Sequence, residues 1–252
     1  MRSFILKNIR LSFIILISIS SLCNCDKKED TFEPSGKFPG SDINKGLVLY
    51  YNFDNGTASD LTVNDFNGIL QNNPEFITET PNQKGQAIFL NGFKENFINI
   101  PYNSLGDSIS YTMSLWIKDF TSGEIIKSFD SYGKDAELCL SASMERNFQF
   151  KTGIYSSDIH TFSNYNFKDI QQGSWHLITI CLDAQTKLLK LYIDGYLVDN
   201  SKVIRTNKPA LIKLQIGSNS DNPNSFKIDN FRIYNRCITA EEVKLIYSTE
   251  LK

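Results

Sequence analysis

Ile228-Asp229-Asn230-Phe231-Arg232-Ile233-Tyr234-Asn235-Arg236, continued by Cys237-Ile238-Thr239-Ala240-Glu241-Glu242-Val243, decides the fold of this chain. Its first half is rich in aromatic and β-branched residues and predicts a strand over Phe226 to Tyr234. Its second half opens a helix. Thr239 and Glu242 have capping-box spacing, in which the Thr hydroxyl accepts the amide three residues on and the Glu reaches back to the Thr amide. Val243, Ile246 and Tyr247 then form one apolar stripe. Glu241 and Glu242 are read as helix-start acids that suit the positive end of the helix dipole, not as catalytic groups.

Upstream, short apolar or alternating segments recur between glycine- and asparagine-rich turns. They are Leu47 to Phe53, Ala87 to Leu90, Phe97 to Ile100, Tyr111 to Ile117, Glu124 to Ser128, Leu138 to Ser141, Phe148 to Lys151, Leu177 to Leu182, Leu188 to Ile193 and Lys213 to Ile216. Many short strands with turn signals predict an all-β sandwich or barrel, not an α/β fold. Asp194-Gly195, flanked by Leu191, Ile193, Leu197 and Val198, predicts a hairpin with a type I′ turn, so Asp194 is read as a turn former. In Tyr111 to Lys118 the alternation puts Tyr111, Met113, Leu115 and Ile117 on one face and Thr112, Ser114, Trp116 and Lys118 on the other.

These motifs resemble the laminin-G-like branch of the concanavalin A-like jelly rolls. The closing strand and capped helix match its C-terminal signature. Gly173-Ser174-Trp175-His176-Leu177 and Leu191-Tyr192-Ile193-Asp194-Gly195 match its paired central strands and hairpin, and Leu47 to Asp54 and Gly85 to Pro101 match its opening. The resemblance implies a two-sheet antiparallel β-sandwich with a short C-terminal helix over residues 46–252. It also implies that Trp116 lies in a packed sheet and that the opening strand pairs with the closing one.

The start of the chain has the form of a processing segment. Arg2, Lys7 and Arg10 precede the uncharged run Leu11 to Leu22, too short to span a bilayer, which needs about 20 residues. Leu22-Cys23-Asn24-Cys25 resembles a bacterial lipoprotein cleavage site, with Asn24 where Gly or Ala is usual. Residues 1–24 are therefore expected to be a signal peptide and Cys25 the lipidated first residue. Residues 25–45 are polar, with Pro34, Gly36, Pro39 and Gly40, and read as a flexible tether. Asp26-Lys27-Lys28-Glu29-Asp30 resembles the charged tag of some Gram-negative surface lipoproteins. The expected location is the cell envelope, lipid-anchored in the outer membrane, with the anchor as the sole membrane contact.

Removing residues 1–24 takes away three basic residues and no acids, which moves the formal charge from −2 to −5. That argues against nucleic acid as a partner. Three cysteines remain beyond Cys25, namely Cys139, Cys181 and Cys237, an odd number that rules out a complete disulfide framework. Buried free thiols are expected.

Catalytic chemistry is not legible. Jelly-roll glycoside hydrolases need two carboxylates on one strand face, about 5 Å apart when configuration is retained. No Glu-x-Asp-x-(x)-Glu run exists, and the aspartates fall in turns or at strand ends. The two histidines, His160 and His176, have no Gly-x-Ser-x-Gly or Ser-x-x-Lys partner motif. Phosphate loops and zinc spacings are missing too.

Two binding chemistries remain. Asp54, Asp60 and Asp65 lie in one turn-rich stretch after the first strand, and the implied pairing of first and closing strands brings Asp54 near Asp229. Several laminin-G-like proteins hold a structural calcium at the sandwich rim. That cation wants about six to eight oxygens, and here it would take Asp54 and Asp229 first, then Asp60 and Asp65. The simpler reading of the same residues is turn chemistry. For glycans the candidates are aromatics in turn-rich segments: Phe93, Tyr132, and Tyr155, Phe162 and Tyr165 with His160 in the mixed stretch Gly153 to Phe167. The sheet face around Trp116 comes second. The expected function is non-catalytic binding of an extracellular glycan, with a protein-binding adhesion or structural module as the alternative.

Overall fold

The computed structural model describes residues 42–92, 96–101, 110–129, 135–142, 148–152, 159–161, 170, 172–203, 213–217 and 224–251, with the backbone alone for 135–139, 148–152 and 159–161. All belong to one unit, Lys37–Lys252. In chain order the elements are β1 (Leu47–Tyr51), β2 (Ile69–Gln71), β3 (Glu75–Ile77), β4 (Ala87–Asn91), β5 (Phe97–Ile100), β6 (Tyr111–Lys118), β7 (Gly123–Phe129) and β8 (Asp135–Ala142). They continue as β9 (Phe148–Thr152), β10 (Ile159–Thr161), β11 (His176–Asp183), β12 (Leu188–Ile193), β13 (Tyr196–Lys202), β14 (Lys213–Ile216), β15 (Ser225–Tyr234) and α1 (Ala240–Glu250).

Two antiparallel sheets form a sandwich, as expected. The first runs β13-β12-β11-β6-β15-β4-β3, with β1 also paired to β15, and the second runs β10-β9-β8-β7-β14-β5-β2. β1 lies against the end of the closing strand, with Tyr51 opposite Phe231. The core between the sheets takes alternate residues: Met113, Leu115, Ile117, Ile178, Ile180 and Ile228 from the first, and Ile98, Ile126, Leu140, Leu214 and Ile216 from the second. Each such side chain contributes roughly 1.5–3 kcal/mol through removal from water.

The other face of β6 is buried as well, because α1 lies over it. Trp116, Leu177, Cys181, Tyr192 and Tyr234 pack there with Ile238, Val243 and Ile246. On that face the Ser114 and Thr179 hydroxyls bond each other at 2.9 Å, and Thr112 Oγ1 donates to the Arg236 carbonyl at 2.8 Å while accepting the Ile238 amide at 3.1 Å. Thr112 thus fixes the turn into the helix. The capping box forms as read, with Glu242 N–H on Thr239 Oγ1 at 3.2 Å and Thr239 N–H on Glu242 Oε2 at 2.7 Å.

Three strands escaped the sequence reading, and a fourth, β13, was read only at its start, as the second arm of the hairpin. β2, β3 and β10 have three residues each, too few to show a period, and exist through their pairing with β5, β4 and β9. β13 ends in Asp199-Asn200-Ser201-Lys202, which has poor strand propensity, but the hairpin fixes it against β12. Free thiols were also the wrong expectation for two cysteines. A disulfide joins Cys181 in β11 to Cys237 before α1, with Cα atoms 5.2 Å apart, a normal reach for the bond. The residues are 56 positions apart, and only the stacking of α1 on the sheet brings them together.

Candidate functional site

The expected rim acids occupy three different environments. Asp60 is a loop organiser: Oδ1 accepts the amides of Tyr50 at 3.1 Å and Thr62 at 3.0 Å, and Oδ2 accepts the Thr62 hydroxyl at 2.9 Å and the Phe66 amide at 3.0 Å. Its lone pairs are used within the fold. Asp65 is exposed, has φ 56°, and accepts from the Asn67 amide group. Asp54 is exposed; Oδ1 accepts the Gln86 amide at 3.0 Å, and Oδ2 accepts from Asn52 Nδ2 at 2.6 Å. A Cβ on Gly85, where φ is +71°, would fall 1.7 Å from Asp54 Oδ1, so glycine is what lets this carboxylate reach the Gln86 amide.

Asp229 is different, being only 3% exposed. Burial raises its carboxyl well above the usual aspartate range, the amide of Asn230 on Oδ1 at 2.7 Å opposes this, and the charges of Glu250 and Asp54 raise it further. The Asp54 charge therefore reaches Asp229, but among the described residues no three acids, histidines or cysteines converge as metal ligands. As arranged, the four acids offer calcium the Asp54–Asp229 pair and little more.

Next to Asp229 lies a buried polar network the sequence did not reveal. The register of β15 against β6 shifts between Asp229 and Arg232, and Asn230 sits at φ 48° within the shift, as in a β-bulge. Asn230 Oδ1 accepts the Tyr50 hydroxyl at 2.7 Å. Arg232 stacks 3.9 Å from the Tyr50 ring centre and pairs with Glu250 of α1, whose other oxygen accepts the Trp116 indole N–H at 2.7 Å. Burial opposes the Arg232 charge, yet the Glu250 carboxylate holds its pKa above the usual value. Burial also pushes the Tyr234 phenol up to about 12. This network locks the helix to the sheet. Trp116 is fully buried and stacked on Tyr247 at 5.6 Å, so the sheet face around it offers no ligand surface. It is core, as the resemblance implied.

His176 and Asp194 form a second linked pair. Asp194 has φ 52° and Gly195 φ 84°, the two positive values of a type I′ turn. Asp194 does more than turn the chain: Oδ1 accepts the Leu177 amide at 2.9 Å and Oδ2 meets His176 Nδ1 at 2.7 Å. The hairpin is thereby tied to the start of β11.

His160 lies in β10 opposite Phe150 in β9. Phe93, Tyr132, Tyr155, Phe162, Tyr165 and Cys25 lie outside the described residues. The sequence reading passed over Tyr196, which follows the Asp-Gly turn and is 62% exposed. Its place at a hairpin tip was the available signal.

A laminin G-type family profile, described as the concanavalin A-like lectin/glucanases superfamily, matches residues 91–244. The chain belongs to this superfamily. This concanavalin A-like chain is 29% identical over 179 residues to Paraclostridial mosquitocidal protein 1 of Paraclostridium bifermentans, covering 62% of this chain and 13% of that protein. It therefore spans a small part of that relative. Domain 4 of an extracellular arabinanase from Geobacillus stearothermophilus, solved in complex with arabinotriose, has a TM-score of 0.63 at 22% identity, covering 80% of this chain and 98% of that one. The binding domain of botulinum neurotoxin DC, solved with SialylT and with rat synaptotagmin II, has a TM-score of 0.68 at 16–17% identity, covering 83% of this chain and 52% of that one. These likenesses are of fold, and the two solved structures are binding domains or domains solved with a ligand.

Proposed function

We propose that this concanavalin A-like chain is a non-catalytic glycan-binding module of a bacterial envelope lipoprotein, anchored through Cys25 and displayed on the outer membrane. The observation that carries this reading is the likeness to the arabinanase domain. Nearly all of that domain is matched, and its structure was solved with an oligosaccharide. The acids support the same reading: Asp60 is spent on its loop, Asp229 is buried, and Glu250 is paired with Arg232 and Trp116. None of these is placed to act with a partner across a glycosidic bond. A disulfide fits maturation outside the cytoplasm. The proposed contacts are Tyr132, Tyr155, Phe162 and Tyr165, with His160 in β10.

A glycan array and retention on immobilised polysaccharide test this. Tyr155→Ala or Tyr165→Ala should weaken retention with little change in melting temperature. A protein partner is the second reading, favoured by the botulinum binding domain solved with rat synaptotagmin II. An array without hits, together with saturable capture of one surface protein, would replace the glycan reading by this one.

A further inference from the structure

We propose that the corner where the β12–β13 hairpin meets α1, formed by Tyr196, Leu197, Lys244 and Tyr247, is a glycan subsite selective for a sugar unit that carries a carboxylate. It rests on the glycan-binding reading above but uses none of the residues assigned there. Sugar recognition by stacking needs an aromatic face open to solvent. Among the described residues Tyr196 is the aromatic side chain that is more than a third exposed, at 62%, and its neighbour Leu197 is 49% exposed. Lone exposed apolar side chains are ordinary. This pair differs in what surrounds it and in how firmly it is held.

The surroundings supply the charge. Lys244 Nζ stands 5.9 Å from the Tyr196 ring centre, a loose cation–π contact, and forms no ion pair with a described acid. An ammonium beside a solvent-facing ring suits a sugar whose apolar face covers the ring while its carboxylate takes a charge-assisted hydrogen bond from the lysine. Tyr247 lines the inner side. Its stacking on Trp116 fixes the ring.

Rigidity comes from the fold. Asp194 fastens the turn to Leu177 and His176. α1 closes on the turn so tightly that a Cβ on Gly195 would stand 3.2 Å from the Lys244 Cα and 3.3 Å from the Tyr247 Cβ. A surface already ordered loses little entropy on binding.

The test is titration of the mature chain with uronic-acid oligosaccharides and with their carboxyl-reduced neutral counterparts. Acidic sugars should bind about tenfold more tightly than neutral ones, as one charge-assisted hydrogen bond implies. That difference should shrink as salt screens the charge. Lys244→Gln should abolish the preference and Tyr196→Ala should weaken acidic sugars by about tenfold, both with melting temperatures near wild type. Equal binding of acidic and neutral sugars, or acidic-sugar binding indifferent to both variants, overturns the proposal. If in that case Tyr155→Ala still weakens binding, the glycan reading stands and only this subsite falls. If no sugar binds at all, both fall.

Discussion

The indole N–H of Trp116, in the centre of β6, donates at 2.7 Å to a carboxylate oxygen of Glu250 in the last turn of α1. The other oxygen takes Arg232, whose side chain is 4% exposed. One carboxylate near the end of the helix therefore closes a charge and an indole buried in the sheet. Glu250→Ala leaves Arg232 buried and unpaired, for which the expected loss is about 3–5 kcal/mol. Trp116→Phe keeps an aromatic ring against Tyr247 but leaves one Glu250 oxygen without its donor, with an expected loss of about 1–3 kcal/mol. Urea unfolding measures both. A Glu250→Ala variant as stable as wild type would mean that α1 is not docked in solution as it is here.

Asp229 makes a prediction about pH. Its folded pKa is raised by burial, so folding favours the protonated form. Its contribution is complete below the unfolded aspartate value, near about 3.9, and is lost as pH rises through the raised folded value. Asp229→Asn removes that loss and should raise the melting temperature at neutral pH, with the gain shrinking towards pH 4. Glu242 shifts the other way: burial raises it, but the Arg236 hydrogen bonds and the Thr239 amide outweigh this and hold it low. It stabilises above the unfolded glutamate value and loses that contribution as pH falls, equally in both proteins, so the difference between them isolates Asp229. Identical pH profiles would refute the assignment.

Most of the fold was legible because it rests on local signals. The Thr239–Glu242 box, the Asp194-Gly195 turn and the alternation in β6 each involve residues within a few positions of one another, and each appears as read. What could not be read depends on stacking. Nothing in the sequence around Trp116 says that a helix ends over it, and nothing around Cys181 points to Cys237. Asp60 shows the ambiguity of single residues, since an aspartate in a turn-rich stretch suits calcium or the loop's own amides, and here the amides occupy it. The acidic rim and the hairpin corner combine residues from separate elements, and composition alone does not bring these together.

The Cys181–Cys237 disulfide closes a separation of 56 residues, for which chain entropy gives a stabilisation of about 4 kcal/mol. Cys237→Ser should lower stability by about 2–5 kcal/mol. In the unfolded, unreduced chain that begins after Cys25, alkylation should label Cys139 alone, and reduction should add Cys181 and Cys237. Labelling of all three before reduction would show that the bond does not form.

A calcium ion at the rim would take Asp54 and Asp229. Its signature is a melting temperature that rises with calcium in chelator-treated protein, since a ligand of the folded state stabilises by mass action. Asp54→Asn should remove that response, whereas Asp65→Asn should leave it nearly intact. A melting temperature indifferent to millimolar calcium removes the cation from the description of this rim.

Leu22-Cys23-Asn24-Cys25 has the spacing of a lipoprotein cleavage site, and a single acyl chain gives only marginal membrane binding, so stable attachment requires more than one chain on Cys25. Mass spectrometry of the N-terminal peptide from the bacterial envelope should find Cys25 first and multiply acylated. Cys25→Ser should shift the protein from the membrane fraction to the soluble one without altering sugar binding by the purified chain. A mature protein that begins elsewhere, or a Cys25→Ser variant that stays with the membrane, would mean that attachment does not depend on this cysteine.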